Sequence, residues 1–161
     1  MNPRFRVAEE SDAPLLLQFM RQYYAFDGHA FQEPKTRIAL LNFLRDPTLG
    51  LAWLIYDEQT PVGYIVLTLG YSLEFLGRDA FIDEFFLAET HRSRGWGRKT
   101  MEFVEDYARS QGVRAVHLEV VRSNRSALAV YHKLGFHDHE HHLMTKWIER
   151  EFVKPGTGAG D

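Results

Sequence analysis

One stretch, FIDEFFLAETHRSRGWGRKT at residues 81–100, restricts the possible folds more than any other part of the chain. An apolar strand pattern over 81–87 runs through a loop into a helical pattern, where Met101, Val104, Tyr107 and Ala108 keep helical spacing and Gly112 stands at the C-terminal cap. Glycines at 95 and 97 in the loop permit positive φ, so that backbone N–H groups can crowd around an anion beside the positive end of the helix dipole. Arg92, Arg94 and Arg98 add charge suited to a pyrophosphate. The junction reads as a phosphate cradle at the open end of a sheet.

The rest of the chain supplies that sheet and its cover. FRVA (5–8) is a short strand, and Ser11 or Asp12 caps a helix with Pro14 in its first turn and Leu16, Met20 and Tyr23 as its buried stripe. FDGHAFQEP (26–34) has loop composition, and TRIALLNFL (36–44) forms a second, short helix that stops before Asp46-Pro47. LAWLIY (51–56) and VGYIVLTL (62–69) make a hairpin of core strands, and AVHLEVV (115–121) is a further strand. Asn124 to Leu134 reads as a helix with Ala127, Leu128, Val130 and Tyr131 inward, closed by Gly135, and a last strand is expected within 139–148. Strands that first pair as a hairpin and then alternate with helices imply an α/β (α+β) domain, a mixed sheet flanked by helices.

Composition bounds the function. A chain of 161 residues with 45% hydrophobic content fits one domain, assigned to 1–153, followed by a disordered tail over 154–161. A net charge of −3 gives no basic field for nucleic acid or membrane, so the expected partner is small. The absence of cysteine excludes disulfides, thiolate zinc sites and cysteine nucleophiles, and suits a reducing cytoplasm. No apolar run reaches the ~18–20 residues of a membrane span.

Three phosphate cradles can be tested against the loop. GWGRKT lacks the glycine-to-lysine spacing of a Walker loop. A dinucleotide fingerprint would put Gly or Ala at position 100, which is Thr100, although Glu119 could imitate its ribose carboxylate. The third pattern, Gln or Arg followed three and five residues on by Gly and then Gly or Ala, is met by Arg92, Gly95 and Gly97. It is the acyl-CoA loop of the GNAT superfamily of N-acetyltransferases, which the chain resembles. NRSALAVYHKLGF (124–136) resembles that family's final helix, an Asn followed seven residues later by Tyr and then by Gly-Phe. The two motifs cover roughly 80–147, and residues 1–50 match by pattern only. IDEFFLAETHRSRGWG is similar to the corresponding segment of diamine, spermidine/spermine and thialysine acetyltransferases, with Asp83 and Glu84 in the order Asp-Glu rather than Glu-Asp.

The resemblance implies a mostly antiparallel, splayed sheet, acetyl-CoA as cosubstrate, no metal, and roles for particular residues. An aliphatic amine of pKa ~10 must lose a proton before it attacks a thioester, and Asp83 or Glu84 could take it directly or through water, with Asp83 preferred. Successive strand residues face opposite sides, so only one of the two should face the acceptor unless a bulge intervenes. Backbone N–H groups around Phe86 and Leu87 are the expected oxyanion donors if the ladder between 81–87 and 115–121 is broken. Tyr131 stands at the family's position for the acid that protonates the leaving thiolate. The loop Arg92, Ser93, Arg94, Gly95, Trp96, Gly97 and Arg98, with Asn124 and Ala127, would hold the cofactor, with Trp96 chiefly a packing or lid residue. Tyr24 and Asp27, in YYAFDGHAFQE, fall where related enzymes build the acceptor pocket, and with Glu74 and Asp79 would form an acidic mouth. Loops at 26–35 and 70–79 look long enough to close one end of it.

Plainer readings stand beside these. Tyr131 could be a core aromatic, Asp83 and Glu84 could pair with surface arginines, and His117 and Glu119 are secondary base candidates better read as structural. Histidines 137, 139 and 141 in HDHEHH would share a strand face and could bind a divalent ion, but a solvated edge is the better reading. The expected activity is direct acetyl transfer to a small primary amine: a polyamine, a diamine or an amino-acid-like acceptor. Alternatives are a non-catalytic acyl-CoA sensor and a protein lysine acetyltransferase. A homodimer is expected from the family and from the aromatic C-terminal strand.

Overall fold

The computed structural model describes residues 2–148 except 27 and 29. The expected tail and Asp27 lie outside these residues. The elements run β1 (Arg4–Val7), α1 (Ala13–Phe26), α2 (Glu33–Arg45), β2 (Gly50–Asp57), β3 (Thr60–Ser72), β4 (Gly77–Leu87), α3 (Trp96–Ser110), β5 (Ala115–Leu118) and α4 (Arg125–Lys133). The five strands lie in the order β1-β2-β3-β4-β5. The first four pair antiparallel, and β5 runs parallel to β4.

Alternation along the strands divides the core into two layers. Ala52, Leu54, Tyr64, Val66 and Phe86 face α1, which brings Leu16, Leu17, Phe19 and Met20. Trp53, Ile65, Leu67, Ala80 and Ile82 face Met101 and Val104 of α3. Both helices earn their place by apolar residues three and four apart. Trp53 meets Phe103 and Tyr107 edge-on, with ring centroids 5.5 and 4.8 Å away.

Several sequence expectations are corrected. Neither Ser11 nor Asp12 caps α1: a 3-10 turn at Glu10–Asp12 precedes it. There the Asp12 carboxylate accepts the Glu9 N–H at 2.8 Å and pairs with Arg6 at 2.6 Å, which holds it below the usual carboxylate range. The β3–β4 connection is a tight hairpin turn rather than a long loop at 70–79, since the strands pair out to Ser72 and Gly77. β5 stops at Leu118 instead of 121. Val130 of α4 is exposed rather than inward. Residues 136–148 form no strand, and Leu143, Met144 and Ile148 stand exposed because no layer faces them among the described residues. The histidines of HDHEHH therefore share no strand face.

Candidate active site

The site is built where β4 leaves β5. Their parallel ladder pairs Asp79 with Ala115, Ala80 with Val116, Phe81 with His117 and Ile82 with Leu118, and ends there. From Glu84 to Leu87, β4 is paired with β3 alone among the described residues. The break expected from the sequence is present.

A bulge marks its start. Val66 opposes Glu84 while Leu67 opposes Ile82, so Asp83 is the extra residue on β4. The insertion reverses the alternation: Ala80 and Ile82 face α3, whereas Phe86 faces α1. Glu84 shares the α1 side with Phe86, and Tyr24 of α1 donates from its hydroxyl to Glu84 Oε1 at 3.2 Å. Tyr64 of β3, fully buried, donates to Glu84 Oε2 at 2.8 Å. Burial, then the negative charge of Glu84, pushes both phenol pKa values upward. Asp83 is exposed, yet its charge also raises the Tyr24 pKa. Glu84 meets the Tyr24 hydroxyl directly, and the Asp83 charge lies close enough to add to its effect.

Aromatic rings complete this side. Tyr24 lies edge-on to Tyr23 and Phe31, with centroids 5.7 and 5.6 Å away. Glu74 and Asp79 do not join them. Asp79 sits near the start of β4, where its carboxylate lies 3.4 Å from His117 Nε2 on β5. His117 is therefore engaged with Asp79 and not with the acidic pair.

Strand geometry also selects among the backbone donors. The Ala88 N–H donates to Val62 O at 2.7 Å, and the Phe86 carbonyl crowds Gly63 so closely that a Cβ there would lie 2.2 Å from it. Residues 86 and 88 thus turn their main-chain groups to β3, and by alternation Phe85 and Leu87 turn theirs to the open edge. Of the two expected donors, Leu87 N–H faces the opening and Phe86 N–H does not.

The loop after β4 leads into α3. Ser93 and Gly95 adopt left-handed conformations with φ of 59° and 79°. Gly95 is the N-cap of α3, and the first N–H groups of the helix beyond it have no carbonyl four residues back. Gly97 is already helical, so the expected positive φ is absent there. A Cβ at Gly97 would meet only Phe85 ring carbons at 3.9 Å, an ordinary contact, so the fold itself does not demand glycine. Trp96 is 4% exposed and wedges among Ile55, Val62 and Leu87, anchoring the helix start.

The arginines are not gathered as expected. Arg92 turns back, donates from Nε to Leu87 O at 2.8 Å, and lies over the rings of Phe26 and Phe86. Arg98 pairs with Glu102 one turn along at 2.8 Å, and Arg94 is exposed. Asn124 caps α4, accepting the Ala127 N–H at 3.2 Å and the Ser126 hydroxyl at 3.0 Å. Tyr131 packs on Phe136 and the α3-side core, and burial raises its pKa. It lines a cleft of about 900 Å³ between α3, β5 and α4, together with Ile82, Met101, Leu118 and Leu128.

Sequence reading missed Tyr64. The signal was a hydroxyl inside the otherwise apolar VGYIVLTL, which needs a partner when buried.

A parted β4–β5 pair beside a left-handed glycine cap and a carboxylate-bearing bulge defines an acyltransferase architecture. The acetyltransferase (GNAT) family model matches residues 16–136, and the chain belongs to that family. An integron cassette protein from the Cole Harbour salt marsh metagenome superposes with a TM-score of 0.80 at 32% identity, over 90% of each chain. A predicted acetyltransferase from Clostridium acetobutylicum, solved with acetyl-CoA, shares the fold with a TM-score of 0.75 at 17% identity, over 89% of this chain and 96% of that one. The thialysine N-epsilon-acetyltransferase of Mus musculus is 26% identical over 145 residues, 84% of either chain. Three curated relatives named N-acetyltransferases, two from Bacillus subtilis and one from Methanocaldococcus jannaschii, are spanned by the chain over only 40%, 60% and 57% of their lengths.

Proposed function

We infer that the protein transfers the acetyl group of acetyl-CoA directly to a small primary amine, of the polyamine, diamine or amino-acid-like kind. The observation that carries this reading is the juxtaposition at the end of the β4–β5 ladder. An open strand edge, an acidic pair whose Glu84 is held by Tyr24 in its cluster with Tyr23 and Phe31, and the start of α3 all come together there. The residues fit acetyl-CoA: Gly97 has no fold reason to be glycine, and the N–H groups at the start of α3 suit a pyrophosphate. Arg94 is the arginine left facing solvent beside them.

The acceptor enters as an ammonium drawn by Asp83, and Glu84 accepts its proton. The freed nitrogen attacks the thioester carbonyl carbon. The open-edge N–H of Leu87 receives the developing negative charge. The carbon–sulfur bond then breaks, the Tyr131 hydroxyl supplies the proton to the departing thiolate, and the surplus proton on the acylated nitrogen leaves through solvent, which returns a proton to the Tyr131 oxygen. With no cysteine in the chain, direct transfer is the simpler route. Aromatic faces beside two carboxylates favour an organic cation as acceptor. The acidic Asp-Glu pair supports a reading within the diamine, spermidine/spermine and thialysine branch, with action in the cytoplasm as a homodimer.

The test is release of free CoA from acetyl-CoA by a thiol-reactive dye, with diamines, polyamines, amino acids, thialysine, aminoglycosides and a lysine peptide as acceptors. Amine-dependent release is expected, falling on the order of a hundredfold in Tyr131→Phe. Binding of acetyl-CoA with no release for any acceptor would instead favour the sensor reading. Release with the peptide alone would favour a protein acetyltransferase.

A further inference from the structure

Tyr64 occupies a place where its hydroxyl has no packing purpose. It lies at the centre of β3, fully buried, with Phe19 and Phe86 rings 6.3 and 6.4 Å from its own. Phenylalanine would fill the same volume, and a buried hydroxyl needs a partner to offset its desolvation. That partner is Glu84 Oε2 at 2.8 Å, with Tyr24 donating to Oε1 at 3.2 Å. Both phenols keep their protons at neutral pH, because burial and the neighbouring carboxylate raise their pKa values. Two donors facing two carboxylate oxygens are matched in full by the ionised acid, which accepts at both. The Glu84 carboxylate meets the hydroxyls of Tyr24 from α1 and Tyr64 from β3, and the charge of Asp83 and the neighbouring Tyr23 act on Tyr24 as well.

We propose that Tyr64 is a positioning residue, whose hydroxyl holds the Glu84 carboxylate ionised and aimed at the acceptor amine. This rests on the acetyltransferase reading of the site and names how its proton acceptor is prepared. β3 is the strand best suited to the task, being paired on both sides by β2 and β4 and so held rigid. A glutamate on a bulge has three side-chain torsions to fix. One hydroxyl from the sheet and one from α1 fix them without adding a positive charge that would repel an ammonium. Asp83 is the exposed residue of the bulge, with no ladder partner on β3.

The experiment compares wild type, Tyr64→Phe, Glu84→Gln and the double variant. In Tyr64→Phe, kcat/KM for the best amine should fall about tenfold or more, the loss expected for a hydrogen bond to a charged group. The KM for acetyl-CoA should not move, and the acidic limb of the pH–rate profile should shift to higher pH. The Tyr64→Phe loss should disappear in the Glu84→Gln background, since the hydroxyl acts only through that carboxylate. Additive losses, or an unmoved pH limb, would overturn the proposal. A second readout needs no turnover: 13C NMR of the Glu84 carboxyl should show it titrating at higher pH in Tyr64→Phe and in Tyr24→Phe. An unchanged Glu84 titration in folded Tyr64→Phe protein also overturns the proposal. Absence of release with every amine in wild type, by contrast, counts against the acetyltransferase reading and leaves the NMR comparison to decide the role of Tyr64.

Discussion

At the scale of single residues, the buried phenols carry a pH dependence whose sign follows from their surroundings. Burial raises the pKa of Tyr24, Tyr64 and Tyr131 above the ordinary phenol value, and for the first two the Glu84 charge adds to it. In the unfolded chain each would titrate near ~10. Above that pH the unfolded chain has released protons that the folded one still holds, so stability is complete below about pH 10 and falls as pH rises further. Denaturant midpoints measured from pH 8 to 12 should show this decline, and Tyr64→Phe should flatten it. Tyr71→Phe should not, because Tyr71 is 73% exposed. An equal slope in all three proteins would rule out the buried phenols as its source.

At the scale of elements, the two glycines of the loop separate what the fold needs from what a ligand needs. Gly95 caps α3 at φ 79°, so Gly95→Ala should cost about 1 kcal/mol of stability. Gly97 is helical with room for a Cβ, so Gly97→Ala should leave the unfolding midpoint unchanged or slightly raised while weakening acetyl-CoA binding at least tenfold. Thermal unfolding and calorimetric titration on the two variants check the contrast, and undiminished binding in Gly97→Ala would remove that residue from the cradle. The helices and their stops were legible in the sequence, because periodic apolar residues and the glycines at 112 and 135 act locally. The bulge at Asp83 was not. FIDEFFL reads as an unbroken strand, and the extra residue exists only because β3 offers no partner to it. The same holds for β5, where AVHLEVV alternates to 121 but ordered pairing ends at Leu118 once β4 departs. The site was legible as a set of residue types and not as a geometry. Asp83 and Glu84 were visible as a pair, while their convergence on Tyr24, and the hold of Tyr64 on Glu84, depend on contacts sixty and twenty residues apart.

At the scale of the whole molecule, the domain is a continuous four-stranded antiparallel sheet that carries a short parallel strand at one edge. Strand pairing that is complete on one side of β4 and interrupted on the other leaves the residues after Ile82 dependent on β3 for order. An acyl-CoA bound along that edge, as proposed, would supply a partner there and stabilise the folded state by mass action. At a hundredfold excess over Kd the gain is about 2.7 kcal/mol, which for a domain of this size raises Tm by roughly 5–10 °C. The location of the effect is more telling than its size. Phe86 and Ala88 already direct their main-chain groups to β3, whereas Phe85 and Leu87 direct theirs to the open edge. Amide hydrogen exchange read residue by residue with and without CoA should therefore slow at Phe85 and Leu87 and change little at Phe86. Protection spread evenly along β4 would mean that the ligand tightens the whole strand rather than pairing with its edge, and the open-edge donor assigned to Leu87 would have to be abandoned.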